Sequence, residues 1–204
     1  MVAMSLDIEG FGDGEPIPER FAFCGLNGMG GNRNPAMVWN DVPPDTRSFV
    51  VLCIDSDAPT DATNVNKPGV TVPIDLPRAE FTHWVMIDIA AQTRRISEAA
   101  ASDGVTVRGK KPGAGPIGIS GHNDYTSWFA GDPEMEGVYG DYDGPCPPKN
   151  DERVHNYNFT IHALDIETLG LTGEFGLAEA RAAMDGHLLA TASVVGTYSL
   201  NPEI

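Results

Sequence analysis

Five side chains of this chain, of which three are hydrogen-bond donors, could together form a pocket for a small anion. Asp55 and Asp57 flank a serine, His83 lies between a threonine and a tryptophan, and His155 and Tyr157 are two residues apart. A protonated histidine offers two N–H donors and a tyrosine offers one O–H donor, and both suit the oxygens of a phosphate group. These residues therefore predict a pocket for a phosphate-like ligand.

The two aspartates cannot both face an anion as free carboxylates, because like charges repel. We expect at least one of Asp55 and Asp57 to accept a proton from an imidazole, which fixes the ring and favours its charged form. The other is then free to bind a ligand ammonium group or a backbone N–H. A loop that contains Gly144 and Pro147 is rich in proline, so it loses little entropy when a ligand binds.

Structural roles stay open for the same residues. His83 beside Trp84 also fits a hydrogen-bonded core histidine, and His155 with Tyr157 also fits a packing pair on one face of a strand. The aspartates and histidines together could form a mixed oxygen and nitrogen metal site, although no His-x-x-x-His spacing supports one. We assign no metal ligand, no cofactor and no catalytic residue.

The pattern of apolar residues predicts a mainly β protein. Residues 48–54 form a continuous apolar run, and residues 83–89 form a second one. Residues 156–164 alternate apolar with polar side chains, as in a strand that is covered on one face. A last strand is expected over residues 191–198.

Helices and long loops complete the predicted fold. Helical spacing occurs over residues 177–190, interrupted by a glycine, and residues 97–101 form a short Ala-rich turn. Loops between residues 59 and 81 and between residues 109 and 148 are long enough to be functional. The chain is therefore expected to form an antiparallel β-sandwich with a few short peripheral helices near the C-terminus.

Length and composition limit the classes of function. With 204 residues and a hydrophobic share of 41%, the chain is expected to form one domain over residues 1–204. Its 13 Lys and Arg against 29 Asp and Glu give a charge of −16. This charge repels nucleic acids and anionic lipid surfaces, so we expect no nucleic-acid partner. No run approaches the roughly 18–20 apolar residues of a membrane span, so we expect no integral membrane association.

The three cysteines predict reduced thiols in a cytoplasmic protein. Cys24, Cys53 and Cys146 form no Cys-x-x-Cys pair, and their odd number indicates neither a disulfide framework nor a zinc site. Cys53 lies in an apolar run and is expected to be packed, whereas Cys146 lies between prolines on a loop and is expected to be exposed. The first 15 residues hold four acidic and no basic residues, which is unlike a signal peptide.

Taken together, these segments resemble the phosphatidylethanolamine-binding protein family, in its prokaryotic Raf-kinase-inhibitor-like branch. The resemblance is carried, in order, by Gly-Gly-Asn-Arg-Asn-Pro-Ala-Met-Val-Trp at 30–39, Asp-Ser-Asp-Ala-Pro at 55–59, Phe-Thr-His-Trp at 81–84, Gly-Pro-Cys-Pro-Pro at 144–148 and His-Asn-Tyr at 155–157. The chain departs from the family at Ser56, where proline is common, and at Phe81, where animal members carry tryptophan.

The resemblance implies a sandwich of antiparallel sheets with an anion pocket at one end. It places in the pocket wall the residues Asp55, Asp57, His83, His155 and Tyr157, with the loop from Gly144 through Pro147 closing one side. Family members bind phosphate or phosphoethanolamine-type head groups and are mostly described as binders or modulators rather than enzymes. We therefore predict a protein that binds a small anion.

Two other hypotheses remain. One is the regulation of a partner enzyme by protein contact, as in the family's kinase and protease inhibitors, with specificity carried by residues 113–143. That segment could instead cover the pocket or form a homodimer contact, since prokaryotic relatives are often dimeric. The other, ranked last, is a hydrolase or lyase that uses His83 or His155 as a base, because no activated serine or cysteine is recognisable.

Overall fold

The computed structural model describes residues 3–172 and 174–204. The strands are β1 (Ser5–Ile8), β2 (Cys24–Gly25), β3 (Gly28–Met29), β4 (Met37–Asn40), β5 (Ser48–Pro59), β6 (Arg78–Ala90), β7 (Arg95–Ile96), β8 (Gly113–Ala114), β9 (Ile119–Ser120), β10 (His155–Leu164) and β11 (Leu188–Tyr198). The helices are α1 (Tyr125–Trp128) and α2 (Leu177–Met184), and a 3-10 turn spans Glu19–Phe21.

The largest sheet contains all four strands that the apolar patterns predicted. Its order is β11-β10-β5-β6-β9-β8, and every neighbouring pair is antiparallel. Both faces of β5 are covered, because Val51 packs into one apolar cluster and Val50 into another. This two-sided burial explains why β5 is a continuous apolar run, whereas β10 alternates buried with half-buried residues.

A second, three-stranded sheet of β1, β4 and β7 packs across the large one. The core between them combines Leu6 and Trp39 from the small sheet with Trp84 and Phe159 from the large sheet. Helix α2 contributes to a separate apolar cluster with the other face of the large sheet. The fold is therefore mainly β, an antiparallel sandwich with few and short helices, as predicted.

The predicted helix over residues 177–190 is only partly correct. Helix α2 ends at Met184, and the chain turns at Gly186, whose φ of +79° lies in the left-handed region that glycine tolerates. Leu188 then begins β11, because pairing with β10 prevails over the helical spacing. The short helix α1 was not predicted. None of the helices in the described part of the chain is long and apolar enough to cross a bilayer.

A disulfide joins Cys24 to Cys146, so the prediction of three reduced thiols is wrong. The two cysteines are 122 residues apart in sequence, yet their Cα atoms are 4.7 Å apart. They meet because the backbone N–H of Cys24 donates to the carbonyl of Pro145 at 3.1 Å, which ties β2 to the proline-rich loop. Cys146 is half-buried rather than exposed, and Cys53 is free and buried, as predicted.

Candidate functional site

The register of β5, β6 and β10 brings the predicted segments together at one end of the large sheet. Asp55 lies opposite Phe81 on one side and opposite Tyr157 on the other. His83 and His155 are each two residues away from these partners along their strands, so their side chains point to the same face. They border a cavity of about 400 Å³, a volume typical of small-molecule sites.

Of the seven predicted ligand-binding residues, the structure places five in the cavity wall: Asp55, His83, Pro147, His155 and Tyr157. Asp57 and Gly144 lie outside it. The Asp57 carboxylate accepts the backbone N–H of Asn156 at 3.0 Å and the guanidinium of Arg153 at 3.2 Å, which is one of the roles expected for an aspartate here. The Gly144 carbonyl accepts the hydroxyl of Tyr125 at 2.7 Å and so positions the loop.

His155 is held between two carboxylates. Its Nδ1 lies 2.7 Å from Asp55 Oδ2, and its Nε2 lies 3.1 Å from Asp151 Oδ2. Burial alone would lower the pKa of His155, but the bonds to Asp151 and Asp55 outweigh it and raise this pKa to about 9. The ring is therefore an imidazolium at neutral pH with both N–H groups occupied. It supplies fixed positive charge but neither a free donor nor a general base.

Asp151, which also contacts His155, was not predicted as a residue of the site. Arg78 donates two hydrogen bonds to its carboxylate, at 2.6 and 3.0 Å, and both side chains are almost fully buried. Burial favours the neutral acid, yet the bonds from His155 and Arg78 lower the pKa of Asp151 to about 2. Asp151 lies four residues before His155, but this spacing predicts a side-chain contact in a helix, and the segment precedes a strand, so the sequence did not predict the pair.

His83 has a different protonation state from His155. Its Nδ1 lies 2.7 Å from the backbone carbonyl of Asp143, and because a carbonyl can only accept, the proton is on Nδ1. Burial lowers the pKa of His83, although the negative charge of Asp55 opposes this effect. The ring is thus neutral, and Nε2, which has no hydrogen-bond partner among the described residues, is an acceptor.

Tyr157 presents the one unused donor in this part of the wall. The residue is fully buried, and its hydroxyl has no hydrogen-bond partner in the described part of the chain. Burial, together with the nearby Asp55 carboxylate, raises the pKa of Tyr157 well above its usual value, so the hydroxyl keeps its proton. The rings of Tyr157 and His83 are 5.1 Å apart and nearly perpendicular. A residue with a free donor and a residue with a free acceptor are therefore in ring contact.

Of the roles left open for residues 113–143, the structure shows that this segment forms part of the cavity wall. Helix α1 contributes Tyr125 and Trp128. The Tyr125 ring lies 5.2 Å from Phe81 and 5.5 Å from His83, in edge-to-face contact with both. The side of the cavity formed by these rings is therefore aromatic and largely apolar.

The charges on the cavity wall are unequal. Apart from its tyrosines, its ionisable side chains are Asp55, Glu80, His83, Asp124 and His155. The positive charge of His155 offsets the negative charge of Asp55, and Arg181, from outside the wall, donates to the Glu80 carboxylate at 2.6 and 2.9 Å. Asp124 is therefore the wall carboxylate that has no cationic partner among the described residues. Within the described residues, no group of three or more His, Cys, Asp or Glu side chains could hold a metal ion.

Comparison with known proteins shows that the chain is similar to members of one family. The family model described as phosphatidylethanolamine-binding protein matches residues 7–199. UPF0098 protein YbhB from Escherichia coli is 32% identical over 188 residues, which are 92% of this chain and 94% of the relative. A UPF0098 protein from Aquifex aeolicus is 31% identical over 188 residues, with 92% and 84% covered.

Two solved structures share the fold. The crystal structure of Escherichia coli YbcL, described as a new member of the mammalian PEBP family, gives a TM-score of 0.71 at 24% identity over 97% of this chain and 99% of that one. The structure of the PEBP homologue CT736 from Chlamydia trachomatis gives 0.67 at 24% identity, covering 97% of both chains. At this level of identity the similarity is one of fold.

Proposed function

This chain belongs to the phosphatidylethanolamine-binding protein family, and we propose that its cavity binds a small phosphoester that also carries a positive group, of the phosphoethanolamine type. The Tyr157 hydroxyl donates to one phosphate oxygen, and Nε2 of His83 shares a proton with another. Asp124 faces the positive group. The protein acts by binding this ligand rather than by converting it.

One observation carries the proposal, namely the unpartnered hydroxyl of Tyr157. A buried polar group without a hydrogen bond costs about 1–3 kcal/mol, so such groups are rare unless a ligand or water satisfies them. Tyr157 lines a cavity rather than a closed core, and His83 belongs to the same wall. A phosphate group in the cavity can accept from the hydroxyl through one oxygen and donate to Nε2 of His83 through a second, protonated oxygen.

The charges of the wall support a ligand of mixed charge. Arg181 compensates the charge of Glu80, but a phosphate dianion would still meet the carboxylate of Asp124, which no lysine or arginine of the described residues pairs with. An ammonium group attached to the phosphoester removes this repulsion, because it places positive charge beside Asp124. Phosphoethanolamine is therefore expected to bind more tightly than inorganic phosphate.

The protonation of His83 makes binding depend on pH. A phosphate monoester loses its second proton near a pKa of about 6 and is mostly dianionic at pH 7.5. A dianion cannot donate to the unprotonated Nε2 of His83, so either the ring or the phosphate must take up a proton when the complex forms. Binding is expected to consume about one proton and to strengthen as the pH falls toward 6.

Isothermal titration calorimetry tests the proposal. Phosphoethanolamine, inorganic phosphate and ethanolamine are titrated separately at pH 7.5, in two buffers of different ionisation enthalpy that together report proton uptake. We expect phosphoethanolamine to bind best. Tyr157→Phe should weaken it about tenfold or more, since a hydrogen bond to a charged group contributes about 1.5–3 kcal/mol.

Tyr142→Phe is the matched control, because Tyr142 is a buried tyrosine outside the cavity wall whose hydroxyl donates to the carbonyl of Phe21 at 2.7 Å. It should bind phosphoethanolamine as the wild type does. Equal affinity in Tyr157→Phe and wild type would refute the placement of the phosphate. Absence of binding by all three ligands would refute the proposed function.

A further inference from the structure

Asp143 is a fully buried carboxylate that lies behind the cavity wall and is held by three donors. Its Oδ1 accepts the side-chain amide of Asn32 at 2.8 Å and the ammonium of Lys110 at 2.6 Å. Its Oδ2 accepts the amide of Asn123 at 2.9 Å. The two asparagines are neutral, so Lys110, which is itself largely buried, is the group that compensates the charge of Asp143.

The backbone of Asp143 is joined to His83 by two hydrogen bonds. The Asp143 carbonyl accepts His83 Nδ1–H at 2.7 Å, and the Asp143 N–H donates to the His83 carbonyl at 3.0 Å. These two bonds fix both the orientation of the imidazole and the nitrogen that carries its proton. Any movement of Asp143 is therefore transmitted to the group that faces the ligand.

We propose that the Lys110–Asp143 ion pair is a positioning device for His83, which holds the ring in its neutral Nδ1–H form with Nε2 free toward the cavity. The inference deepens the proposed function, in which Nε2 shares a proton with the ligand. Without Lys110, Asp143 would be an uncompensated buried carboxylate close to the ring. It would then either shift, which breaks the clamp, or attract a second proton onto His83.

The charge balance around His83 makes this effect measurable. The ionisable groups that surround it are Asp55 on β5, His155 and Tyr157 on β10, Asp124 and Tyr125 at α1, and the pair of Asp143 and Lys110. Burial lowers the pKa of His83, whereas the carboxylates of Asp55, Asp124 and Asp143 act to raise it. At an effective dielectric constant of about 20, a unit charge within about 10 Å moves a pKa by about one unit. Loss of the Lys110 charge should therefore be visible as a shift of the titration midpoint.

Nitrogen-15 NMR of the histidine rings in the ligand-free protein tests the inference. In the wild type, His83 should show a protonated Nδ1 and an unprotonated Nε2 at pH 7. Lys110→Met, which keeps a long apolar stem, should raise the titration midpoint of His83 by about one pH unit. Lys110→Arg keeps the charge and should leave the midpoint close to that of the wild type.

A double variant separates electrostatics from a general loss of structure. Lys110→Met with Asp143→Asn removes both charges, so its midpoint should return toward the wild-type value. Unchanged tautomer and midpoint in folded Lys110→Met would overturn the inference, as would a double variant that keeps the raised midpoint. Should Lys110→Met not fold, Asp143→Asn with Lys110 intact must lower the midpoint, and an unchanged value overturns the inference.

The readout is independent of the proposed function, because no ligand is present. A wild type that binds no phosphoethanolamine would refute the proposed function, while a shifted midpoint in Lys110→Met would still support the role of the ion pair. Normal binding of phosphoethanolamine by the wild type, with an unchanged His83 midpoint in Lys110→Met, would support the proposed function and refute the role of the ion pair.

Discussion

Replacement of Tyr157 by phenylalanine should stabilise the ligand-free protein, although it removes a hydroxyl from a fully buried residue. The hydroxyl of Tyr157 has no hydrogen-bond partner in the described part of the chain, so its removal breaks no bond. The matched replacement of Tyr142 removes a hydroxyl that donates to the carbonyl of Phe21 at 2.7 Å. The two variants therefore differ in whether the lost hydroxyl had made a hydrogen bond.

The structure sets both the sign and the size of the two effects. An unsatisfied buried polar group costs about 1–3 kcal/mol, so Tyr157→Phe should raise the free energy of unfolding by about 1 kcal/mol. Tyr142→Phe should lower it by about 1–3 kcal/mol, because it leaves the buried carbonyl of Phe21 unpaired. For a chain of 150–250 residues, 1 kcal/mol corresponds to a change in Tm of roughly 2–4 °C.

Thermal unfolding followed by circular dichroism, with and without phosphoethanolamine, measures both consequences. Without ligand, the Tm should rise in Tyr157→Phe and fall in Tyr142→Phe. With ligand, the Tm should increase in the wild type and in Tyr142→Phe but scarcely in Tyr157→Phe, since stabilisation follows affinity. If both variants lose stability equally without ligand, the Tyr157 hydroxyl already has a partner, such as the nearby Asp55 carboxylate or an ordered water, and the reasoning fails.

Two further predictions concern stability. His155, with a folded pKa of about 9 against an ordinary 6.5, stabilises the fold fully below pH 6.5 and loses this contribution as the pH rises through 9. Asp151, with a folded pKa of about 2 against 3.8, contributes above pH 3.8 and less as the pH falls toward 2. The urea midpoint should therefore be highest between about pH 4 and 6.5. Asp151→Asn should reduce both the decrease above pH 6.5 and the decrease below pH 4. The same pH dependence in variant and wild type would contradict this. Reduction of the Cys24–Cys146 disulfide should cost about 2–4 kcal/mol, measured with a phosphine reductant, and Cys24→Ser with Cys146→Ser should no longer respond to the reductant.

Four strands of the large sheet and the approximate place of the site were predictable because they depend on local patterns. The apolar run of β5 and the alternation in β10 follow from which faces are covered, and side-chain direction in a strand repeats every two residues. That period is sufficient to place Tyr157 and His155 on one face. The role of an aspartate as partner to an imidazole was also predictable, since Asp55 is bonded to His155.

The chemistry of each group in the site was decided by residues distant in the chain. His83 and His155 are the same residue type in similar strands, yet one is neutral and the other is an imidazolium. The difference depends on the acceptor that the fold provides, which is a backbone carbonyl for His83 and two carboxylates for His155. Proton affinity is set by burial and by charges through space, neither of which is encoded by local spacing.

The disulfide and the Lys110–Asp143 ion pair also join residues that are distant in the chain. Cys24 and Cys146 are 122 residues apart in sequence, and Lys110 and Asp143 are 33 residues apart. The sequence shows these residue types, and they can be named from it as candidate partners. Which of them become neighbours depends on how the long loops close over the end of the sheet. Local patterns therefore specify four strands of the large sheet and the candidate groups, whereas long-range folding sets the partners of those groups, their protonation and the shape of the cavity.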